Sequence, residues 1–251
     1  MFNKYKKILT IKWLLLFILA VAASGLCVRL GYWQLDRLRQ KKEFINHYSI
    51  VSEAAPLKLN DNSNEVFQDN LDYRKVVVTG IFDNENSKVL RNQYHDGIPG
   101  YFLLTPLKIS ENLGVIIERG WIPSNGNGKP ENWKQYYLNG PVKISGIIRV
   151  GNKSPEIVGA GQNNNTTSAN PFFINDINTD ALSTDLNYKI LPIFIQPEIS
   201  AGSENIPPIP YQPEIDLSEG PHFGYALQWF TFAIIIVIGT PIFVLKQIKE
   251  V

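Results

Sequence analysis

Side chains that could bind a ligand are concentrated at the mouth of an apolar run near the C-terminus, in the stretch GPHFGYALQWF (220–230). Neutral imidazole is a good ligand for haem iron, and small residues let a flat ligand or a second helix approach closely. From spacing alone, we favour a helix-packing face with an interfacial histidine over a ligand site. On a helix, one face carries residues at three- and four-residue intervals: His222, Tyr225, Ala226, Trp229 and Ala233.

Two further polar side chains could take part in binding. Gln228 lies in or near hydrocarbon and should therefore face a partner or a cavity. Arg119, in ERGW, could clamp a carboxylate or a phosphate through two parallel hydrogen bonds. It could equally pair with Glu118 or a neighbouring acid and pack on Trp121, and spacing alone favours that structural role.

Sequence signatures of common enzymes do not occur. We find no zinc-protease helix motif, nucleophile elbow, P-loop or dinucleotide fingerprint. The other histidines, His47 and His95, are expected to be solvated. Cys27 is the single cysteine, which excludes an intramolecular disulfide, and the net charge of +1 does not suggest nucleic acid as a partner. No local sequence therefore supports an enzyme, and a membrane-tethered hydrolase is the least favoured alternative.

Two apolar runs are predicted to cross a membrane. The first extends from Trp13 to Val28 and can lengthen to Trp33 if Arg29 snorkels. A signal peptide is the rival interpretation, but the run continues into an amphipathic helix, so we favour an uncleaved signal anchor. The second run, 221–245, begins at Pro221, which suits the first position of a helix.

The distribution of basic residues predicts which side of the membrane each segment occupies. Lysines precede the first run, and Lys246 and Lys249 follow the second, whereas the 56 residues between Lys189 and Lys246 are free of Lys and Arg. Both termini are therefore expected in the cytoplasm and the central domain outside it. The basic residues that follow the first run weaken the evidence for this orientation: Arg37, Arg39, Lys41 and Lys42.

Between the runs, the pattern predicts an extracytoplasmic, mainly antiparallel β (α+β) domain. Short segments rich in β-branched and aromatic residues end at Gly, Asn, Asp or Pro. We expect Pro192 and Pro197 at strand ends or at an edge, and 159–171 as a loop. Predicted strands are 75–83, 87–93, 100–107, 113–122, 142–150, 171–177 and 189–197. Predicted segments are a cytoplasmic N-terminus (1–12), transmembrane helix 1 (13–33), a juxtamembrane helix (34–50), the β-rich domain (51–202), a Pro-rich return segment (203–220), transmembrane helix 2 (221–245) and a cytoplasmic tail (246–251).

Several stretches together resemble the surfeit-locus-one (Shy-one) family of cytochrome c oxidase assembly factors. LGYWQLDRLRQK is similar to its Gly-x-Trp-Gln-x-x-Arg element through Gly31, Trp33, Gln34 and Arg37. DYRKVVVTGIFD, GIPGYFLLTPL and VIIERGWIP are similar to its domain strands. PHFGYALQWF resembles the family's entry to the second span. Glu118 stands where the family often has Asn, and the Asn-rich loop at 162–165 differs as well.

The resemblance implies a non-enzymatic assembly factor of the respiratory chain in a bacterial inner membrane. It implies a chaperone that binds haem a transiently and helps insert it into oxidase subunit one, with haem a synthase as a further partner. His222 matches the family's haem ligand, and Tyr225, Trp229 and Gln228 would line the pocket. Arg119 or Arg37 would pair with propionates. The alternative is a haem-free membrane scaffold for the nascent oxidase subunit.

Overall fold

A computed structural model describes residues 11–61, 63–67, 71–151, 171–200, 202, 205–212 and 214–250. The chain divides into two compact units. One combines Met1–Asn46 with Asp216–Val251, and the other comprises His47–Ile215. The predicted loop at 159–171 lies almost entirely outside the described residues.

The first unit is a pair of long helices. Helix α1 extends from Ile11 to Glu53 without interruption, through the residues predicted as a span and a juxtamembrane helix. The C-terminal helix, named α3 here, extends from His222 to Glu250 and contains Pro241. Both are long and apolar enough to cross a bilayer. Most of their apolar side chains are exposed, as expected for helices that face lipid rather than a protein core.

Small residues form the seam between these two helices. Ser24, Cys27 and Gly31 are buried on α1, and Ala226 and Ala233 are buried on α3. A Cβ at Gly31 would lie 2.6 Å from the Phe230 ring, so this glycine allows the helices to approach closely. Of the predicted packing face, Ala226 and Ala233 are buried beside the chain's own first helix, whereas Tyr225 is exposed. Edge-to-face pairs extend the seam: Trp13 with Phe243 and Tyr32 with Phe230.

Ion pairs fix the segment that leads into α3. Lys41 Nζ lies 3.8 Å from Asp216 Oδ2 and donates to its carbonyl at 2.7 Å. Lys42 Nζ lies 3.3 Å from Glu219 Oε2. Acidic residues preceding the second helix therefore offset part of the positive charge of the basic cluster on α1. This cluster was the feature of the charge distribution that disagreed with the predicted orientation.

The second unit is a β-rich domain in which an eight-stranded sheet closes on itself. Neighbouring strands follow the order β1-β2-β6-β8-β5-β4-β3-β7, and β2 also pairs with β4. That extra pairing makes the sheet barrel-like. The strands are β1 Leu57–Lys58, β2 Lys75–Phe82, β3 Lys88–His95, β4 Ile98–Ser110, β5 Leu113–Pro123, β6 Pro141–Val150, β7 Phe173–Ile174 and β8 Lys189–Pro197.

Pairing is mostly antiparallel, as predicted, with parallel pairs at β1–β2, β3–β7 and β5–β8. Short helices complete the domain: α2 (Thr179–Ser183) and 3-10 helices at Ser63–Phe67, Asn84–Asn86 and Pro130–Tyr136. Inward-facing aliphatic side chains fill the barrel, among them Val78, Leu107, Ile117 and Ile195.

Two sequence expectations for this domain are wrong. Pro192 lies inside β8 and not at its end, just before Ile193, the first residue that pairs with β6. It is tolerated because the β5–β8 register shifts there, so that no regular ladder bond needs its missing N–H. The strand predicted at 171–177 is reduced to Phe173–Ile174, since Asn175 and Asp176 favour a bend over an extended strand.

Candidate functional site

His222 is the first residue of α3, and the turn before it sets its position. Gly220 adopts φ of +69°, a left-handed conformation that glycine reaches without strain. Pro221 follows, and its carbonyl accepts the Tyr225 N–H at 3.0 Å to close the first helical turn. The imidazole is therefore held at the very end of the helix and not along its side.

The His222 ring contacts helix α1 through one nitrogen. Nδ1 lies 2.9 Å from Oε1 of Gln34. With the amide oxygen of Gln34 as the acceptor, Nδ1 is the donor of this hydrogen bond. Nε2 of the neutral ring then keeps its lone pair, which is the electron pair that a metal ion takes from imidazole. A hydrogen bond at one ring nitrogen is the kind of contact that orients metal-ligating histidines in proteins.

Gly220 leaves space beside the free nitrogen. A Cβ built there would lie 3.4 Å from His222 Cδ2 and 3.6 Å from Nε2. Any larger residue would place its side chain against that edge of the ring. Glycine therefore serves the turn, and a Cβ at this position would make only ordinary van der Waals contact with the ring.

Gln34 is a site residue whose role at His222 was not predicted from the sequence. It is separated from His222 by 188 positions along the chain, so no local pattern connects the two. Its place in the Trp-Gln stretch of α1 was visible, but its role depends on the pairing of two distant helices.

The remaining candidates on α3 divide between the seam and the exposed surface. Tyr225 is 45% exposed, and Gln228 is also exposed. Trp229 is half-buried and makes an edge contact with Phe232 at 5.9 Å between ring centroids. Tyr225 and Gln228 therefore form an exposed polar and aromatic surface on the first turns of α3. Ala226 instead faces α1.

Arg37 lies in the same unit as His222, three positions after Gln34 on α1. Its guanidinium is 5.5 Å from the centre of the Trp33 ring, and Nη1 donates to Gln40 Oε1 at 2.9 Å. These contacts orient Arg37 without neutralising it, and they use only one of its five N–H donors.

Arg119 belongs to the β-rich unit and does not make the predicted local contacts. Its guanidinium lies 4.8 Å from the centre of the Phe82 ring and is not stacked on Trp121. Glu118 accepts a hydrogen bond from Gln196 at 3.1 Å instead of pairing with Arg119. Burial lowers the pKa of Arg119 to about 10, so the side chain stays charged at neutral pH.

Within the described part of the chain, no group of three or more His, Cys, Asp or Glu side chains could hold a metal ion. A multidentate protein metal site is therefore not formed by these residues.

Comparison with known proteins gives a consistent result. A family model described as the SURF1 family matches residues 21–234. The SURF1-like protein of Rickettsia felis is 26% identical over 217 residues, covering 84% of this chain and 88% of that protein. That of Rickettsia prowazekii is 28% identical over 240 residues, covering 88% and 90%. The cytochrome oxidase assembly protein SHY1 of Saccharomyces cerevisiae is 31% identical over 126 residues, covering 48% and 32%. The resemblance seen in the motifs is confirmed, and the chain belongs to the SURF1 family.

Proposed function

We propose that this protein is an assembly factor for a haem–copper cytochrome c oxidase, and that it binds haem a and assists its insertion into subunit one. Family membership and the similarity to an oxidase assembly protein support the role in assembly. The haem-binding part rests on the geometry at His222. In this proposal the protein is a chaperone and not an enzyme.

The single observation that carries the haem proposal is the hydrogen bond between His222 Nδ1 and Gln34. It orients the ring and leaves Nε2 as the donor atom for iron. Haem supplies an iron centre with four nitrogens of its own, so one protein imidazole suffices to hold it. A single ligand also suits delivery, because the haem must leave again.

The surroundings of His222 suit an apolar ligand. Haem a carries a long apolar tail, which would remain in lipid rather than water if the haem is handled at the membrane surface. Tyr225 and Trp229 would contact the macrocycle, and Gln228 would add a polar contact. Arg37, which keeps free N–H donors, could pair with a propionate, and Arg119 remains a second candidate on charge alone.

We place the protein in a bacterial inner membrane, with both termini cytoplasmic and the β-rich domain in the periplasm. The lysines outside the spans support this orientation, as do the acidic partners of Lys41 and Lys42. Oxidase subunit one and haem a synthase would be its partners within the bilayer.

A haem-free scaffold for the nascent subunit is the second candidate, and the exposed surface of α3 favours it. Phe223, Tyr225 and Leu227 are each about half exposed near the mouth of the helix. In that case this surface would pack on a helix of the oxidase, and His222 would serve only to tie α3 to Gln34 on α1.

The two candidates differ in what His222 does. The protein is purified from cells that make haem a, and its absorption spectrum is compared with those of His222→Ala and of His47→Ala as a matched control. We expect haem a in the wild type and in His47→Ala, and its loss in His222→Ala. An unchanged haem content in His222→Ala would remove the assignment of the ligand.

A further inference from the structure

A cavity of about 470 Å³ opens on the β-rich domain beside strand β5. We call it the Arg119 pocket. Its size lies within the range of small-molecule sites, which are mostly apolar with a few placed polar groups. The walls come from the end of a 3-10 helix and from the Pro-rich segment. Lining residues are Arg119, Gln135, Tyr136, Tyr137, Leu138, Gly202, Ile206, Pro207 and Pro208.

A β-bulge positions the arginine. Leu103 pairs with Gly120 and Leu104 with Glu118, so Arg119 is the extra residue between two ladder pairs. Gly120 adopts φ of +126°, and Trp121 bridges to Ile209 on the Pro-rich segment. Bulges of this kind re-aim a side chain and are common beside functional sites.

The charge of Arg119 is not matched within the described residues. Its Nη1 atom is inaccessible to solvent and has no hydrogen-bond partner. None of the described lining residues is acidic. Contact with the Phe82 ring offsets only part of the cost of burying a guanidinium. Buried charges in proteins are normally paired, so this guanidinium is suited to bind an anion.

The walls indicate what kind of anion fits. Tyr136, Leu138, Ile206 and two prolines supply apolar and aromatic surface around a single positive charge. Tyr136 Oη accepts from Asn127 at 3.2 Å and retains its own proton for a further acceptor. One guanidinium and one hydroxyl match a monoanionic carboxylate better than a dianionic phosphate.

We propose that the Arg119 pocket binds an organic carboxylate borne on an apolar body. A tetrapyrrole propionate and a fatty acid both have this chemistry. The inference rests on the pocket alone and would hold if His222 never bound haem.

The test uses the full chain in detergent and two soluble probes, 4-phenylbutyrate and its neutral amide, measured by calorimetry. We expect the acid to bind and the amide to bind at least about tenfold more weakly, as for loss of a charged hydrogen bond. Arg119→Gln should weaken binding of the acid by a similar factor, and Arg119→Lys by less. Arg91→Gln is the control, because Arg91 bonds to Asn175 and does not line the pocket.

Competition then separates the two sources of the carboxylate. Displacement by metal-free protoporphyrin IX but not by its dimethyl ester would identify a propionate, and displacement by laurate would identify a fatty acid. Neither competitor contains iron, so His222→Ala should leave both results unchanged. Equal binding of the acid and the amide, or unchanged binding in Arg119→Gln, would overturn the proposal. If His222→Ala loses haem but still binds 4-phenylbutyrate, the result concerns the proposed function and not the Arg119 pocket.

Discussion

Glu118 is expected to make the stability of the β-rich domain depend on pH, and replacing it with Gln should remove that dependence. The side chain is only 3% exposed on β5. Burial raises its pKa from 4.5 to about 7, opposed by the hydrogen bond from Gln196 and the charge of Arg149. Gln196 Oε1 is buried and lacks a partner in the described structure. The hydroxyl group of a protonated Glu118 would donate a hydrogen bond to this oxygen.

The magnitude follows from the shift in pKa. A rise from 4.5 to about 7 corresponds to about 3 kcal/mol, at about 1.36 kcal/mol per pH unit. Because the folded state binds the proton more tightly than the unfolded state, this stabilisation is fully present below pH 4.5. It is lost as the pH rises through about 7. Glu118→Gln stays neutral throughout, so it should exceed the wild type in stability by up to about 3 kcal/mol at pH 8.

The assay is urea unfolding of the detergent-solubilised chain between pH 4 and pH 9, followed by the fluorescence of Trp121 and Trp133. The other tryptophans, Trp13, Trp33 and Trp229, are replaced by Phe in every variant so that the signal reports the domain. Glu111→Gln, an exposed carboxylate on the adjacent turn, is the control and should keep the slope of the wild type. Parallel pH profiles for the wild type and Glu118→Gln would refute the reasoning.

Three further predictions concern positions that the fold requires. Gln34→Leu should weaken haem binding about 10- to 100-fold in spectroscopic titration, because it removes the hydrogen bond that orients the His222 ring. Unchanged affinity would contradict that role. Gly31→Val should lower the thermal stability of the helix pair, since a Cβ there meets the Phe230 ring at 2.6 Å. Adding Phe230→Leu should restore part of the loss. If Gly31→Val were as stable as the wild type, the two helices would not be closely packed at this position. Gly120→Ala should destabilise the domain by at least about 2 kcal/mol in urea unfolding. The reason is that alanine is strained at φ of +126° and its Cβ would meet the Ile209 backbone. The same variant should also abolish 4-phenylbutyrate binding.

The strands of the domain were largely predictable, because their signals are local. Alternating β-branched residues between Gly, Asn and Pro located β2 and β8 to within a residue of their observed ends. The 3-10 helix at Pro130–Tyr136 was hidden in a stretch that has loop composition. It forms because Trp133 is buried against Phe173 and donates to the Asn127 carbonyl at 3.0 Å, contacts that are not apparent from composition.

The arrangement of the strands was not predictable, because it depends on pairings between distant segments. Closure of the sheet needs β2 to pair with both β6 and β4, and β5 to pair in parallel with β8. The bulge at Arg119 is a register shift within β4–β5, which periodicity does not reveal. The same reason explains why Gln34, although it lies in a motif, was not linked to His222.

The central claim is that the protein handles haem while it assists oxidase assembly, and one paired measurement tests it most directly. A strain that lacks its own copy of the protein and makes haem a is complemented with the wild-type chain. Oxidase content of the membranes and haem a bound to the purified protein are measured on the same culture. We predict restored oxidase together with haem a bound to the protein. Restored oxidase with a haem-free protein would contradict the chaperone proposal and favour the scaffold.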